Sequence, residues 1–356
     1  MRIAVIGCGG IGGVLCANLI RAGHDVVAVV GREAIATAIK QHGLRVREMD
    51  GAEWTVHPCR PPLVELDGSV GAIDLAIVVT QNPALEAALL ALRPFLEVDA
   101  PVVVCQNGLP EERASAVVEA ERIIGCVVGW GASMVEPGLY QRTSTGGLQL
   151  GRLVANGVDP QPAATLLECA SPTTVVEDLL AVRWSKLAIN CVTSTLGAIG
   201  GDRLGRLLSH RFVRRLALEI FAECKAVAEA HGVQPRPVGG TFALSEVAIT
   251  EEERGAPYGT ASLAYKHSLL LAVGFKYRRM RSSMLYALEK GRPPEVDFLN
   301  GEIVQRGRLL DIPTPVCDAL VEAVHAIARK EERSSLDTLR RIANYAVYDR
   351  SQSQAA

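Results

Sequence analysis

Apolar positions in the first half of the chain form short runs separated by stretches of helical period. Ile3 to Ile6 has the length of a buried parallel strand. Val14, Leu15, Ala17, Leu19 and Ile20 then mark a helix, which Gly23 ends. Val26 to Val30 predicts the next strand, and Ile73 to Thr80, Val102 to Cys105 and Arg122 to Val128 predict three more. Pro83 opens a helix running to about Phe95, and Pro110 opens another; proline suits the first helical position, where its missing N–H costs nothing. Strands alternating with helices build a parallel, doubly wound α/β sheet, with ligands held beyond the carboxyl ends of the strands. Residues 131–151 are β-rich, with turns at Pro137-Gly138 and Gly146-Gly147.

From about residue 180 the pattern turns helical. Leu180 to Ile199 and His210 to His231 predict long helices, residues 233–258 a loop, and 261–290 further helices. Gly291-Arg292-Pro293-Pro294 breaks the chain, Glu295 starts another helix, and Pro315 opens the last, ending near residue 331. The pattern divides the chain into an α/β domain (1–178), an all-helical domain (179–335) and a C-terminal tail (336–356), frayed from about residue 350.

The link between the first strand and helix reads Gly7-Cys8-Gly9-Gly10-Ile11-Gly12. This is G-x-G-x-x-G in a strand–turn–helix–strand unit, the context in which it signifies a dinucleotide site of Rossmann type. Gly7 permits the tight turn, Gly9 lets backbone approach a pyrophosphate, and Gly12 lets helix and strand pack closely. The free N–H groups and positive end of the helix face the phosphates. Residues 3–20 also form an uncharged stretch behind Arg2, but five glycines and Asn18 within it argue against a membrane span. At the ends of later strands lie Thr80-Gln81-Asn82 and Gln106-Asn107-Gly108. The second strand is followed by Arg32 rather than the acidic residue that bonds an NAD ribose, which favours NADP (NADPH) over NAD.

Composition adds exclusions. A net charge of −2 implies no general attraction to nucleic acid or to an anionic membrane. Nine cysteines include no C-x-x-C pair, so neither metal nor disulfide is expected; the odd count and the lack of a leader fit a reducing cytoplasm.

Lys186, Asn190 and Ser194 recur at steps of four and share one helix face. Alone, such a lysine is an ordinary solvated side chain. Its uncharged polar neighbours and apolar helix suggest instead a proton donor whose pKa desolvation has lowered. Glu295 at a helix start is explicable by the helix dipole, and Ser282-Ser283 by helix capping.

Together these segments resemble the ketopantoate reductase family and its wider set of 2-hydroxyacid dehydrogenases, from residue 1 to about 330. The marks are IAVIGCGGIGG (3–13), CQNGLPEE (105–112), PGLYQRTSTGGLQLG (137–151), WSKLAINCVTSTLGAI (184–199) and SSMLYALEKGRPPEVDFLNGEIV (282–304). The resemblance implies NADPH-dependent reduction of a 2-keto acid, with Lys186 as general acid and Glu295 bonding the substrate hydroxyl. It places Asn107 by the nicotinamide ribose and, with Asn190, Ser194 and Ser283, at the substrate. The cofactor side comprises Gly7, Cys8, Gly9, Gly10, Ile11, Gly12, Arg32, Thr80, Gln81, Asn82 and Asn107. A small 2-keto acid is the expected partner, and a homodimer is left open. Departures touch the substrate contacts: Ser194 and Met280 stand where the family often has asparagines, and Asn82 where a phosphate-binding lysine is common. A relative acting on a bulkier 2-keto acid is therefore the alternative reading, and a non-catalytic nucleotide sensor a remote one.

Overall fold

The computed structural model describes residues 1–238, 241–256 and 258–348. Two compact units divide between Leu179 and Leu180. The first contains β1 (Arg2–Ile6), α1 (Gly10–Arg21), β2 (Asp25–Val29), α2 (Glu33–His42), β3 (Leu44–Arg47), β4 (Glu53–Val56), β5 (Leu75–Val78), α3 (Leu85–Leu92), β6 (Val102–Val104), α4 (Pro110–Ser115), β7 (Ile123–Val128), β8 (Ala132–Glu136), β9 (Leu139–Arg142), β10 (Leu148–Arg152), α5 (Gln161–Leu167) and β11 (Thr173–Val175).

The main sheet has the order β11-β10-β7-β6-β5-β1-β2. The five strands from β2 to β7 are parallel, and β10 runs antiparallel to β7. Every residue of β5 and β6 is buried, as continuous apolar strands covered on both faces require. Ile3, Val5 and Ile77 pack with Leu15 and Leu19 of α1 on one face. Ala4, Ile6 and Val78 pack with Leu85 and Leu89 of α3 on the other. Beyond β2 the sheet gains an isolated bridge from Val29 to Leu63. β2 and β5 flank β1 on opposite sides, so strand order reverses at β1, where doubly wound sheets bind ligands.

A second sheet has the order β4-β3-β9-β8: β8 and β9 fall in the β-rich stretch expected at 131–151, whereas β3, β4 and the pairing are absent from the sequence expectations. Its strands are short and partly polar, and β3 pairs with β9 through partners such as Arg45 and Leu139, far apart in sequence. It covers α1: Tyr140 is fully buried, and a Cβ on Gly13 would strike its ring.

From Leu180 on, the structure is helical: α6 (Leu179–Gly200), α7 (Leu204–Ser209), α8 (Arg211–Ala230), α9 (Leu244–Val247), α10 (Glu251–Gly255), α11 (Ala261–Lys276), α12 (Ser283–Glu289), α13 (Asn300–Leu309), α14 (Pro315–Ala328) and α15 (Leu336–Ala343). α8 buries Val213, Leu216, Ile220, Phe221, Cys224 and Val227, an apolar stripe at helical spacing. Glu223 on the same helix accepts N–H bonds from Val316 (2.7 Å) and Cys317 (2.8 Å), capping α14 from inside the core. Burial pushes its pKa up to about 7.

Two sequence expectations need correction. Residues 233–258 are not all loop: Thr250 and Glu253 cap the short α10 reciprocally, and Glu246 accepts from the Ala243 N–H at α9. The C-terminal segment from 336 does not begin as a tail. Ser335 caps α15 and donates its N–H to Ile199 at 2.7 Å, while Leu339 and Ala343 are buried. The frayed stretch expected from residue 350 lies outside the described residues. Among the described residues, no helix is long and apolar enough to cross a membrane, and no cluster of three or more His, Cys, Asp or Glu could hold a metal ion.

Candidate active site

The glycine turn lies where strand order reverses. Gly7 has φ +96°, and a Cβ there would lie 2.8 Å from the Thr80 nitrogen, so the β1 and β5 ends meet through bare backbone. A Cβ on Gly12 would overlap the Gly7 carbonyl oxygen, and one on Gly10 the Ala132 carbonyl. A Cβ on Gly9 would meet nothing within 4 Å. The first turn of α1 has no side-chain cap. Open space above Gly9 beside uncapped N–H donors fits a pyrophosphate.

Other residues expected at the coenzyme are placed as follows. Cys8 is buried against Cys16, so only its backbone faces the turn. Gly10 permits packing on β8, and Ile11 is partly buried against the core, a structural role for both. Arg32 is exposed just beyond β2, after Gly31 (φ +68°), at the N-cap of α2. Thr80 is partly buried, and Gln81 and Asn107 are exposed.

Asn82 departs from the expectation of a coenzyme contact through its side chain. It is 1% exposed, donates to the Asn107 carbonyl (3.1 Å) and accepts from Arg113 Nη1 (3.2 Å). Its amide is occupied in joining the β5 and β6 loops. Arg113 is held in turn by Glu86 through bonds of 2.6 and 2.8 Å, and its guanidinium keeps the Glu86 carboxyl below its ordinary range. Gln106 bonds the Thr80 carbonyl (3.2 Å) and hydroxyl (3.3 Å). Sequence reasoning did not assign these bracing roles to Gln106 and Arg113; their signal is polar residues flanking a turn at a strand end.

In the second unit, α6 carries Lys186, buried Asn190 and Ser194 along one face, while Leu187, Cys191 and Thr195 on the adjoining stripe are fully buried. Burial, then the charge of Arg183, pushes the Lys186 pKa down. Buried Asn300 fixes the neighbouring elements to α6. Its Oδ1 accepts from Thr195 (2.5 Å), and its Nδ2 reaches the Cys191 carbonyl (3.4 Å) and Cys317 Sγ (3.6 Å). Glu295 lies five residues before Asn300, at the start of a 3₁₀ turn, Val296–Phe298, whose Val296 is fully buried. The start of α13, five residues after Glu295, is thus tethered to the helix that carries Lys186 by an asparagine the sequence reading did not single out.

Ser282 makes the other tether. Its hydroxyl caps α12 by accepting from Leu285 N–H (3.1 Å) and donates to the Ser194 carbonyl (2.6 Å). Gly197 allows this approach, since a Cβ there would lie 2.5 Å from that of Ser282. Ser283, next in the chain, is left exposed at the first helical position. Met280 is anchored through its carbonyl to Leu204 N–H (2.9 Å), and its side chain is exposed. The second unit therefore gathers a desolvated lysine, neutral hydrogen-bonding groups and a carboxylate on one framework. Such a set can protonate an oxygen and orient a small polar acid.

The PanE/ApbA ketopantoate reductase model matches residues 3–155, and the model of the C-terminal part of that family matches residues 178–328. The chain belongs to the ketopantoate reductase family. It is an oxidoreductase acting on a CH–OH group, of a family dependent on NAD(P). A 2-dehydropantoate 2-reductase from Mesorhizobium japonicum is 28% identical over 351 residues, covering 92% of this chain and 98% of the relative. The solved ketopantoate reductase of Ralstonia eutropha superposes with a TM-score of 0.76 at 26% identity, covering 93% and 99%. A D-mandelate dehydrogenase solved with NADH and anilino(oxo)acetate superposes with a TM-score of 0.77 at 22% identity, covering 93% and 99%, a likeness of fold.

Proposed function

We propose that this ketopantoate reductase family member reduces a 2-keto acid to the 2-hydroxy acid with NADPH, and that 2-dehydropantoate (ketopantoate) is among its substrates. The observation that carries the reading is Lys186, desolvated on α6 in line with Asn190 and Ser194. When bound, the coenzyme supplies the hydride that reaches the ketone carbon. Lys186 donates the proton that the ketone oxygen takes up and stabilises the negative charge developing there. A lysine with a lowered pKa is the stronger acid. Glu295 orients the substrate hydroxyl, Asn107 and Asn190 hold the geometry, and Ser283 receives the substrate carboxylate. Gly7, Gly9 and Gly12 would hold the coenzyme's pyrophosphate. NADPH consumption with a panel of 2-keto acids tests the reading: turnover of none would overturn it.

Coenzyme choice follows from Arg32. A guanidinium beyond β2 can pair with a 2′-phosphate, and the acidic residue that NAD sites place there is absent. NADPH is expected to exceed NADH in kcat/KM, and Arg32→Ala is expected to remove most of that preference. Equal use of both coenzymes by the wild-type enzyme would refute this.

Substrate choice has a second candidate, favoured by Met280 and Ser194. A methionine wall suits an apolar or aromatic group, and serine is smaller than asparagine. In line with this, the fold neighbour above was solved with anilino(oxo)acetate, a bulky oxo acid derivative. Ketopantoate is expected to be reduced, but with kcat/KM matched or exceeded by a larger 2-keto acid such as phenylglyoxylate. Met280→Asn and Ser194→Asn are each expected to shift preference toward ketopantoate by about tenfold, the effect of a hydrogen bond worth ~1.5 kcal/mol. If ketopantoate dominates in the wild type and the asparagines add nothing, the pocket is of the plain ketopantoate kind.

A further inference from the structure

The segment 276–292 carries six cations, Lys276, Arg278, Arg279, Arg281, Lys290 and Arg292, against one carboxylate, Glu289, in a chain of total formal charge −2. All six side chains are exposed. Arg281 pairs with Glu289. The other five have no carboxylate partner among the described residues. Four of them lie instead near aromatic rings. Lys276 is 5.3 Å from the Tyr277 ring, Arg278 5.0 Å from Phe275, and Lys290 and Arg292 5.6 and 5.4 Å from Tyr286. A ring positions a cation without neutralising it. Unpaired like charges repel one another, and among the described residues no ion pair accounts for these.

The segment's place says what such a field acts on. Ser282 is pinned to the Ser194 carbonyl, and the Met280 carbonyl to Leu204 N–H. Arg279 and Arg281 flank Met280, and Ser283 follows. Lys290 and Arg292 lie at the other end of α12, joined to the first group through the Arg281–Glu289 pair. Ser194 is eight residues from Lys186, about 12 Å along a helix. The Debye length at physiological salt is about 8 Å. Arg279 lies three residues before Ser282, at most about 11 Å along the chain, and Ser282 is held on the Ser194 carbonyl. An anion near Ser194 and Ser283 therefore feels the nearest of these charges across about one Debye length at physiological salt and well within one at low salt.

We propose that Lys276, Arg278, Arg279, Lys290 and Arg292 form an electrostatic rim that draws the anionic 2-keto acid to the Ser194–Ser283 corner of the helical unit, raising its capture without taking part in the chemistry. This rests on the 2-keto acid reading above. The rim acts on kcat/KM for the acid and leaves kcat at saturation unchanged. It ignores an uncharged substrate of the same shape, and it fades with added salt.

The experiment compares wild type with the combined Lys276→Gln, Arg278→Gln, Arg279→Gln variant and with Arg279→Gln alone. The control is Arg329→Gln, which removes an exposed charge at the end of α14. Each is assayed with a 2-keto acid and with its uncharged primary amide, in about 0.01 M and about 1 M salt, where the Debye lengths are roughly 30 and 3 Å. The triple variant is expected to lose about tenfold in kcat/KM for the acid at low salt, the lower end of steering effects. The loss should disappear at high salt, Arg279→Gln should show a smaller loss of the same kind, and the control should match wild type. An equal loss for the amide, a salt dependence unchanged by either rim variant, or an equal loss in Arg329→Gln would overturn the rim while leaving the reductase reading intact. A wild type that reduces no 2-keto acid overturns both.

Discussion

Replacing Lys186 by alanine is expected to lower turnover about 10²–10⁴-fold, the usual range for loss of a general acid, while NADPH still binds. The glycine turn and Arg32, the residues assigned to the coenzyme's phosphates, are unchanged in this variant. Lys186→Arg is expected not to restore turnover, because a guanidinium keeps its proton at any working pH. The pH profile gives a second readout. If Lys186 is the proton donor, reduction needs it protonated, and burial together with Arg183 holds its pKa below the ordinary 10.5. Wild-type kcat should therefore fall as pH rises through that lowered value, and this limb should be missing in the alanine variant. Stability runs the other way. A lysine whose folded-state pKa is lowered carries its penalty at pH below that value, and the penalty is relieved as pH rises toward the unfolded one. The melting temperature of Lys186→Ala at neutral pH is thus expected at or above that of wild type. Turnover within a few-fold of wild type would return Lys186 to an ordinary surface lysine.

Two glycines of the turn should separate binding from folding. At Gly12 an added methyl overlaps the Gly7 carbonyl oxygen, which is backbone and cannot swing aside. Gly12→Ala is expected to cost about 1–3 kcal/mol, the range for overpacking. It should lower the melting temperature and weaken NADPH binding together. At Gly9 the same methyl meets nothing within 4 Å, and φ is −72°, a value alanine adopts freely. Gly9→Ala should melt like wild type, yet bind NADPH at least tenfold more weakly if that open space admits the pyrophosphate. Thermal melts with and without NADPH, together with a fluorescence titration, read both effects. Wild-type NADPH affinity in Gly9→Ala would remove the pyrophosphate from that space.

Much of this arrangement is legible in local pattern. The apolar runs at Ile3–Ile6 and Val26–Val30 and the glycines between them specify a strand, turn and helix through steric rules that hold within thirty residues. The four-residue spacing of Lys186, Asn190 and Ser194 is enough to put them on one face, because helical periodicity is a local property. Charge is legible too: Arg32 after β2 and the cations of 276–292 stand in the sequence as written.

Long-range contacts decided the rest. The β3–β9 pairing, Asn300 on Thr195, and Ser282 on the Ser194 carbonyl join residues roughly ninety to a hundred positions apart, and no window of sequence reports them. Asn82 shows the difference at a single position. In sequence it stands where a phosphate-binding cation is common, while in the fold Arg113 and the Asn107 carbonyl occupy its amide. The segment after residue 335 is polar enough to read as a tail, yet burial of Leu339 and Ala343 makes it a helix. By itself, then, the sequence determined which elements form and which chemical groups are available, since propensity, period and charge act locally. Which groups are already bonded, and which segments are fixed against α6, only the tertiary structure decided, since hydrogen bonds and desolvation depend on neighbours that folding alone brings together.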